Sequence, residues 1–228
     1  MFTLSSVVPW GRSFDEYQRM FALTAADLGG RVLGCGDGPA SFNAEATRQG
    51  AQIVSCDPLY QFSAAQIRRR IDETAPDVLE QARQNAHEFV WDEAIPDVDA
   101  LRRVRMTAMA AFLEDFETGR GQGRYVDAGL PSLPFADGAF DLALCSHFLF
   151  LYSQQLDEAF HHQALRELCR VARDVRIFPL VALGGRPSSH LGPVRVAMAR
   201  DGWHTSIERV PYEFQRGGNE MLRLRRAS

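Results

Sequence analysis

The chain has 228 residues, of which 46% are hydrophobic and 24% are charged, a composition that is ordinary for a globular protein. This length is enough for one well-buried domain and short for two, so we predict a single domain over residues 1–228. The net charge of −4 makes nucleic acid an unfavourable partner, because the chain offers no general attraction to phosphate backbones.

The N-terminal segment, Met1 to Arg12, lacks the basic start and the long apolar run of a signal peptide. No run in the sequence approaches the ~20 apolar residues that a membrane-spanning helix needs. We therefore expect a cytoplasmic protein without a membrane segment. We expect free thiols and no metal site, because metal-ligand spacing is absent among Cys35, Cys56, Cys145 and Cys169.

A capping box at residues 13–16 begins the first predicted helix, which we expect to run to about Leu28. A short strand is predicted over Arg31–Leu33. Three glycines with single-residue spacing follow it in the loop Gly34-Cys35-Gly36-Asp37-Gly38. Such a loop lets the backbone approach a ligand closely where a strand meets a helix.

The next helix and strand complete a βαβ unit. Pro39 suits the first turn of the helix, and Ala51–Cys56 is predicted as the second strand. Asp57 follows that strand, 19 residues after Gly38. In a βαβ unit a carboxylate at this position can accept hydrogen bonds from both hydroxyls of a ribose. The pattern therefore predicts a cofactor with an adenosine group.

Residues 61–119 are predicted to be helical, and the segment is far longer than a compact βαβ crossover needs. Pro76 and Pro96 are expected to divide it. We interpret it as a helical insertion that either serves as a lid over a binding site or packs as a structural helical pair. Its two apolar stripes are Val78, Leu79, Ala82, Ala86, Phe89 and Val90, and Leu101, Val104, Ala108, Phe112 and Phe116.

The remaining elements continue the alternation of strands and helices. In order, they are a third strand at Arg124–Asp127, a fourth at Phe140–Cys145, a helix at Ser153–Arg173, a fifth strand at Val175–Leu180 and a short helix at Leu191–Asp201.

The chain ends in a predicted β-hairpin. Ile207–Phe214 and Met221–Arg226 alternate between apolar and polar residues, and Gly217-Gly218-Asn219 suits a turn between them. A hairpin after alternating strands and helices indicates a mostly parallel sheet with one reversed strand.

This ordered set of features resembles the class I S-adenosylmethionine-dependent methyltransferases. The resemblance rests on the glycine loop at residues 34–38, on Asp57 and Asp127, on the block Leu133–Leu142, and on the terminal hairpin. It covers nearly the whole chain except the helical insertion. It implies an α/β fold with a doubly wound, Rossmann-like sheet, mostly parallel with an antiparallel C-terminal strand, plus the insertion.

The resemblance also implies a cofactor, S-adenosylmethionine, and a role for each matching position. The loop backbone would approach the amino acid end of the cofactor. Asp57 would hold the ribose hydroxyls, Asp127 would accept from the adenine amino group, and Ser146 would lie beside the methionine part. The expected cofactor-binding residues are Gly34, Cys35, Gly36, Asp57, Pro58, Asp127, Ala128 and Ser146.

Two positions depart from the family pattern. Val32 stands where the family has an acidic residue that holds the ammonium group of the cofactor, and Arg170–Asp174 lacks the paired glycines that usually precede the fifth strand. The first hypothesis is methyl transfer to an unidentified small-molecule acceptor. The missing acid motivates a second, in which the protein binds S-adenosylmethionine or S-adenosylhomocysteine without catalysis, as a sensor or regulatory module.

Two other interpretations fail on placement. A nicotinamide or flavin site would need glycine spacing that Pro39 and Ala40 do not provide. Residues 57–60, Asp-Pro-Leu-Tyr, are similar to a motif with which some methyltransferases bind an exocyclic base amine. That motif belongs after the fourth strand, whereas this one follows the second, which argues against methylation of DNA or RNA.

The resemblance leaves the catalytic residues open. His147, just beyond the fourth strand, is a candidate general base, and Tyr152 is a weaker candidate; both could equally be packing residues. Trp10, Arg12 and Tyr17 either fold over the cofactor or pack the first helix. In-line transfer of an activated methyl group depends mainly on approach and orientation, so the absence of an obvious catalytic residue is compatible with activity.

Overall fold

The computed structural model describes residues 8–226, so residues 1–7 of the segment interpreted above lie outside the described range. No described helix is long and apolar enough to cross a membrane. Seven strands are present in this range: β1 (Arg31–Cys35), β2 (Gln52–Cys56), β3 (Tyr125–Val126), β4 (Phe140–Ser146), β5 (Ala172–Phe178), β6 (Trp203–Arg209) and β7 (Glu220–Arg226). Its α-helices are α1 (Phe14–Met20), α2 (Ala25–Leu28), α3 (Phe42–Arg48), α4 (Ala64–Gln84), α5 (Val98–Gly121), α6 (Glu158–Val171) and α7 (Leu191–Arg200).

The strands form one sheet with the order β3-β2-β1-β4-β5-β7-β6. Strands β1 to β5 pair in parallel, whereas β7 pairs antiparallel with β5 on one side and β6 on the other. The predicted sheet, mostly parallel with an antiparallel C-terminal strand, is confirmed. The strand order changes direction between β1 and β4. In open α/β sheets, ligands bind at such a point, beyond the carboxyl ends of the strands.

Apolar side chains cover both faces of the sheet. Leu33 and Cys35 of β1 belong to the core under α6 and α7, whereas Val32 belongs to the core under α1 and α3. Successive residues of a strand point to opposite faces, so a strand buried on both sides is apolar along its length. The two layers of helices hold the carboxyl edge of the sheet in place.

Helices α4 and α5 lie between β2 and β3 in the chain and pack against each other. The Tyr60 ring lies between 5.3 and 5.9 Å, centroid to centroid, from the rings of Phe112, Phe116 and Tyr125. Pro76 lies inside α4 rather than dividing it, so that expectation is wrong. The packing of the apolar face of α4 outweighs the backbone hydrogen bond that a proline removes.

The predicted first helix is two helices. α1 begins at Ser13 with the expected capping box, but it ends at Met20. Ala22 then has a positive φ of 47°, and Thr24 begins α2 through a second capping box with Asp27. The apolar spacing continues across the break and conceals it, although the spacing of Thr24 and Asp27 is itself a helix-start signal.

The C-terminal hairpin forms, but its first strand lies earlier than the alternation predicts. β6 ends at Arg209, so residues 207–214 are not one strand. Pro211 has no N–H for the ladder, and Val210 and Tyr212 are buried in the core under α1 instead. The connection to β7 is therefore a long loop rather than a tight turn.

Two boundaries around the fifth strand also differ from the prediction. The helix expected to begin at Ser153 begins at Glu158, where the Asp157 side chain caps it. β5 begins at Ala172, directly after α6, so there is no separate turn at which paired glycines would be needed.

Candidate functional site

The carboxyl ends of four strands meet at one edge of the sheet. Cys35 of β1 pairs with Cys56 of β2 and with Cys145 of β4, and Cys56 also pairs with Val126 of β3. The residue that follows in each strand or loop therefore lies at the same edge: Gly36, Asp57, Asp127 and Ser146.

The loop after β1 needs its glycines for two different reasons. Gly36 and Gly38 have φ values of 69° and 53°, in the left-handed region that favours glycine. At Gly34 the constraint is space, because an added Cβ would overlap the carboxylate of Asp37. The Tyr60 hydroxyl donates to the Gly38 carbonyl at 2.8 Å, which fixes the loop against the segment after β2.

The carboxylate of Asp57 is held by two backbone amides. Its Oδ2 accepts from Gly38 N–H at 2.9 Å, and its Oδ1 accepts from Leu59 N–H at 2.8 Å. Burial raises the pKa of Asp57, these hydrogen bonds oppose the rise, and the nearby Asp127 adds to it. A carboxylate has about four acceptor positions. Each oxygen of Asp57 accepts one of these hydrogen bonds and can therefore accept one more, from a bound ligand.

Asp37 is a buried acid that the sequence interpretation passed over. It is 6% exposed, and its two oxygens accept from the hydroxyls of Tyr17 at 2.8 Å and Ser55 at 2.7 Å. Burial raises the pKa of Asp37 to about 7 in spite of these two hydrogen bonds. Asp37 lies against Gly34, which is two residues from Val32 in β1 and therefore on the same face of the sheet. Its carboxylate thus lies on the face to which an acid at position 32 would point.

A cavity of about 740 Å³ opens beyond this edge of the sheet. One side, here named the edge wall, includes Gly36, Asp37, Asp57, Pro58, Gly129 and Ser146. Another part of the lining, here named the apolar wall, comes from the N-terminal segment, α4, α5, the connection between these two helices and the loop between β6 and β7. It includes Trp10, Arg12, Phe89, Leu101 and Phe214.

The structure brings together part of the predicted cofactor set. Five of the eight predicted cofactor-binding residues line the cavity: Cys35, Gly36, Asp57, Pro58 and Ser146. Three predicted residues, Gly34, Asp127 and Ala128, are outside its lining, and their roles remain predictions. Gly129 and Leu130 line the cavity instead. A Cβ on Gly129 would lie 2.9 Å from Cγ of Pro58, so the backbone there passes close to the residue after Asp57.

The two candidate catalytic residues, His147 and Tyr152, both line the cavity. His147 has a positive φ of 49°, and its Nδ1 lies 2.9 Å from the Ser146 hydroxyl. Burial, reinforced by the positive charges of Arg12 and Arg105, lowers the pKa of His147 well below its usual value. Burial raises the pKa of Tyr152. Both side chains are therefore neutral near pH 7.

A buried ion pair lies beside the apolar wall and joins three segments. Glu16 of α1 accepts from Nη1 of Arg105 of α5 at 2.5 Å and from the hydroxyl of Tyr212 in the β6–β7 loop at 2.8 Å. Burial disfavours ionisation of Glu16, but Arg105 and Arg12 outweigh it and lower its pKa to about 2. Glu16 and Arg105 are 89 positions apart, and no local sequence signal connects them.

The chain is similar to known proteins along its whole length. The profile of the family described as a methyltransferase domain matches residues 102–175. An uncharacterized protein of Methanocaldococcus jannaschii is 33% identical over 225 residues, which is 98% of both chains.

Several solved structures are similar at lower identity. Magnesium protoporphyrin IX methyltransferase from Synechocystis, solved with S-adenosylhomocysteine, is 12% identical with a TM-score of 0.47, and 94% of each chain is covered. A methyltransferase from Aquifex aeolicus is 13% identical with a TM-score of 0.44, covering 92% of this chain and 90% of its own. By its matched domain, its sheet order and the glycine loop at the end of β1, this chain belongs to the class I methyltransferases, a family whose cofactor is S-adenosylmethionine.

Proposed function

We propose that the protein transfers a methyl group from S-adenosylmethionine to a small-molecule acceptor. The observation that carries this proposal is the cavity of about 740 Å³ at the carboxyl edge of the sheet, within the ~300–1,000 Å³ typical of small-molecule sites. Its lining includes five of the eight residues expected to bind the cofactor. Its apolar wall leaves room beyond them for a second molecule.

The residues of the edge wall fit the ribose of this cofactor. Asp57 lines the cavity and keeps one acceptor position on each oxygen, which matches the two hydroxyls of a ribose. The loop from Gly36 to Gly38 carries no side chain at its two left-handed positions, so a ligand can lie against its backbone. Pro58 adds an apolar surface beside Asp57.

Asp37 supports binding of the ammonium group of the cofactor. It lines the cavity and lies on the face of β1 where Val32 replaces the usual acid. With a pKa of about 7 it is partly ionised near neutral pH, and a bound ammonium group favours the ionised form. Asp37 thus offers a carboxylate in place of the missing acid, whose absence motivated the non-catalytic hypothesis.

The residues around the reacting group position it and exclude water. When bound, S-adenosylmethionine supplies an activated methyl group on its sulfonium sulfur. His147 and Tyr152 present uncharged rings to the cavity, and the low pKa of His147 makes it a weak proton acceptor. We assign both residues to packing around the acceptor. Orientation in a closed cavity then supplies most of the rate.

The insertion is proposed to cover the bound molecules. Val78 and Ala82 of α4 and Leu101 of α5 line the cavity as part of the apolar wall. A lid function requires these helices to move away for ligand entry, and hinges of such lids lie in loops at the ends of elements. The segment between Gln84 and Val98 is the connection at which the two helices can change their relative position.

Cofactor binding and turnover test the proposal separately. Titration calorimetry with S-adenosylmethionine and S-adenosylhomocysteine should give saturable binding, and Asp57→Ala should weaken it at least tenfold, about 1.4 kcal/mol, through loss of the ribose hydrogen bonds. Asp72→Ala, an exposed acid on α4, is the matched control and should leave binding unchanged.

Turnover is measured as formation of S-adenosylhomocysteine with a broad panel of small-molecule acceptors. Product formation with any acceptor, lost in Asp57→Ala at limiting cofactor, is the expected result. Binding without turnover of any acceptor would instead favour the non-catalytic hypothesis. No binding of either form of the cofactor would contradict both hypotheses.

A further inference from the structure

Two arginines, the fully buried Arg105 and the partly buried Arg12, lie near a single carboxylate beside the apolar wall. Arg105 is completely buried and pairs with Glu16, whose oxygens also accept from Tyr212 and from the backbone N–H of Ser13. The charge of Arg12 also acts on that carboxylate, and its Nη1 donates to the backbone carbonyl of Trp10 at 2.7 Å. The region therefore holds two guanidinium groups and one carboxylate.

Part of this hydrogen-bonding capacity is unused. Among residues 8–226, Nε of Arg12 and both Nε and Nη2 of Arg105 are buried and have no hydrogen-bond partner. A guanidinium carries five N–H donors and cannot become neutral in a protein. Burial and the neighbouring Arg105 both lower the pKa of Arg12, so the site already disfavours this cation in the absence of an anion.

Three arginines of the described residues line the cavity. Arg69 and Arg70 of α4 each lie within 4.0 Å of the Glu73 carboxylate, whereas Arg12 lines the cavity together with Trp10 and Phe214, and Arg105 is fully buried behind the wall. His147, on the adjacent loop, is neutral for the reasons given above. A ligand in this part of the cavity thus meets aromatic surface and one unneutralised positive charge.

We propose that the acceptor carries an anionic group, a carboxylate or a similar oxyanion, which binds to Arg12 while its apolar body lies against the aromatic rings of the wall. The inference rests on the proposed function for the identity of this ligand as the acceptor. Arg12 is then the residue that determines specificity for anionic acceptors. An anion there supplies the negative charge that the two guanidinium groups lack.

A matched pair of fluorescent probes tests the charge preference without knowledge of the acceptor. 8-Anilinonaphthalene-1-sulfonate is anionic, and N-phenyl-1-naphthylamine has the same aromatic body without the charge. Protein saturated with S-adenosylhomocysteine should bind the sulfonate at least tenfold more tightly, because a hydrogen-bonded charge pair in an enclosed site is strong.

Substitution of Arg12 should remove this preference. In Arg12→Gln the two probes should bind within about threefold of each other, whereas Arg12→Lys, which keeps the charge, should retain a preference for the sulfonate. Arg102→Gln, an exposed position on α5, is the control and should behave as the unaltered protein. An undiminished preference in correctly folded Arg12→Gln, checked by circular dichroism, would overturn the proposal.

The carboxylate of the cofactor has the same chemistry as the proposed anion, and a second arm distinguishes the two sources. S-Adenosylhomocysteine carries that carboxylate, and 5′-methylthioadenosine lacks it. We expect Arg12→Gln to change the binding of either compound by less than about twofold. A tenfold loss confined to S-adenosylhomocysteine would assign Arg12 to the cofactor and overturn the assignment to the acceptor. Failure of both compounds to bind would refute the proposed function, while the probe measurement on the cofactor-free protein would still decide the anion preference.

Discussion

The two walls of the cavity differ in how the chain builds them. The edge wall comes from the end of β4 and from the short segments after β1, β2 and β3, so the parallel sheet itself brings these residues together. The apolar wall is assembled from an N-terminal segment, two insertion helices and two loops. Its parts are held to one another by buried contacts such as that between Glu16 and Arg105.

This difference separates a binding function from a specificity function. The sheet edge is fixed by backbone pairing, which tolerates changes of side chain and suits a cofactor shared by a family. The apolar wall depends on particular side chains that meet across long distances in the chain. In this protein the stacking of Phe214 on Phe89, with ring centroids 5.0 Å apart, is one such meeting. We expect substitutions in the two walls to have different consequences.

The largest expected effect is on the apolar wall. Glu16→Gln should lower the free energy of unfolding by about 3–5 kcal/mol, because it leaves Arg105 buried without a counter-charge. Glutamine keeps an acceptor for the capping box at Ser13, so the change is mainly one of charge. Urea unfolding followed by circular dichroism measures it.

Asp15→Asn on the same helix is the matched control for Glu16→Gln. Asp15 pairs with Arg19 at 2.7 Å on the surface, and loss of such a pair should change the free energy of unfolding by less than about 1 kcal/mol. Equal changes in the two variants would mean that the buried pair does not hold the apolar wall together.

The same contrast explains how much of the molecule the sequence predicts. Asp57 and the loop from Gly34 to Gly38 are recognised because each lies at a fixed distance from a strand, and strands are identified by local patterns. The mostly parallel sheet follows from the alternation of strands and helices for the same reason. Local patterns therefore suffice for the edge wall.

The parts that escaped prediction depend on contacts between distant positions. In the sequence, Arg105 looks like any other charged residue of an amphipathic helix. Only the folded chain shows that it is buried and paired with Glu16. Phe214 reads as part of an alternating strand, but it packs against the insertion. Asp37 was visible in the glycine loop, yet its role depends on Tyr17 and Ser55, which lie outside that loop.

A smaller effect is expected at Asp37, in the edge wall, and it depends on pH. The pKa of Asp37 is about 7 in the folded protein and lies near its ordinary value of about 4 in the unfolded chain. The folded state therefore binds a proton that the unfolded state has released, and stability falls as the pH rises through this window. Asp37→Asn removes the dependence. The free energy of unfolding of this variant, relative to that of the unaltered protein, should rise by about 2–3 kcal/mol between pH 5 and pH 8.

Thermal or urea unfolding of both proteins at several pH values measures this difference. Titration of other groups cancels when one curve is subtracted from the other, because both proteins share those groups. A difference that stays flat from pH 5 to pH 8 would show that Asp37 is ionised throughout and is not held protonated by burial.

The smallest effect concerns the reason for glycine at position 34. Gly34→Ala should lower the free energy of unfolding by about 1–3 kcal/mol, because the new Cβ overlaps the Asp37 carboxylate. If Asp37 is the whole cause, the loss should fall below about 1 kcal/mol when the same change is made in Asp37→Ser, whose side chain is shorter. Urea unfolding of the four proteins of this cycle gives the coupling between the two positions.

Gly121→Ala is the control for this cycle. Gly121 ends α5, and an added Cβ would meet no atom of the described residues within 4 Å, so the change should be neutral or stabilise the protein by about 0.4–1 kcal/mol. An equal loss from Gly34→Ala in both backgrounds would mean that the backbone of β1, rather than Asp37, requires glycine. The first glycine of the loop would then belong with Gly36 and Gly38, and the acid beside it would have no part in fixing the loop sequence.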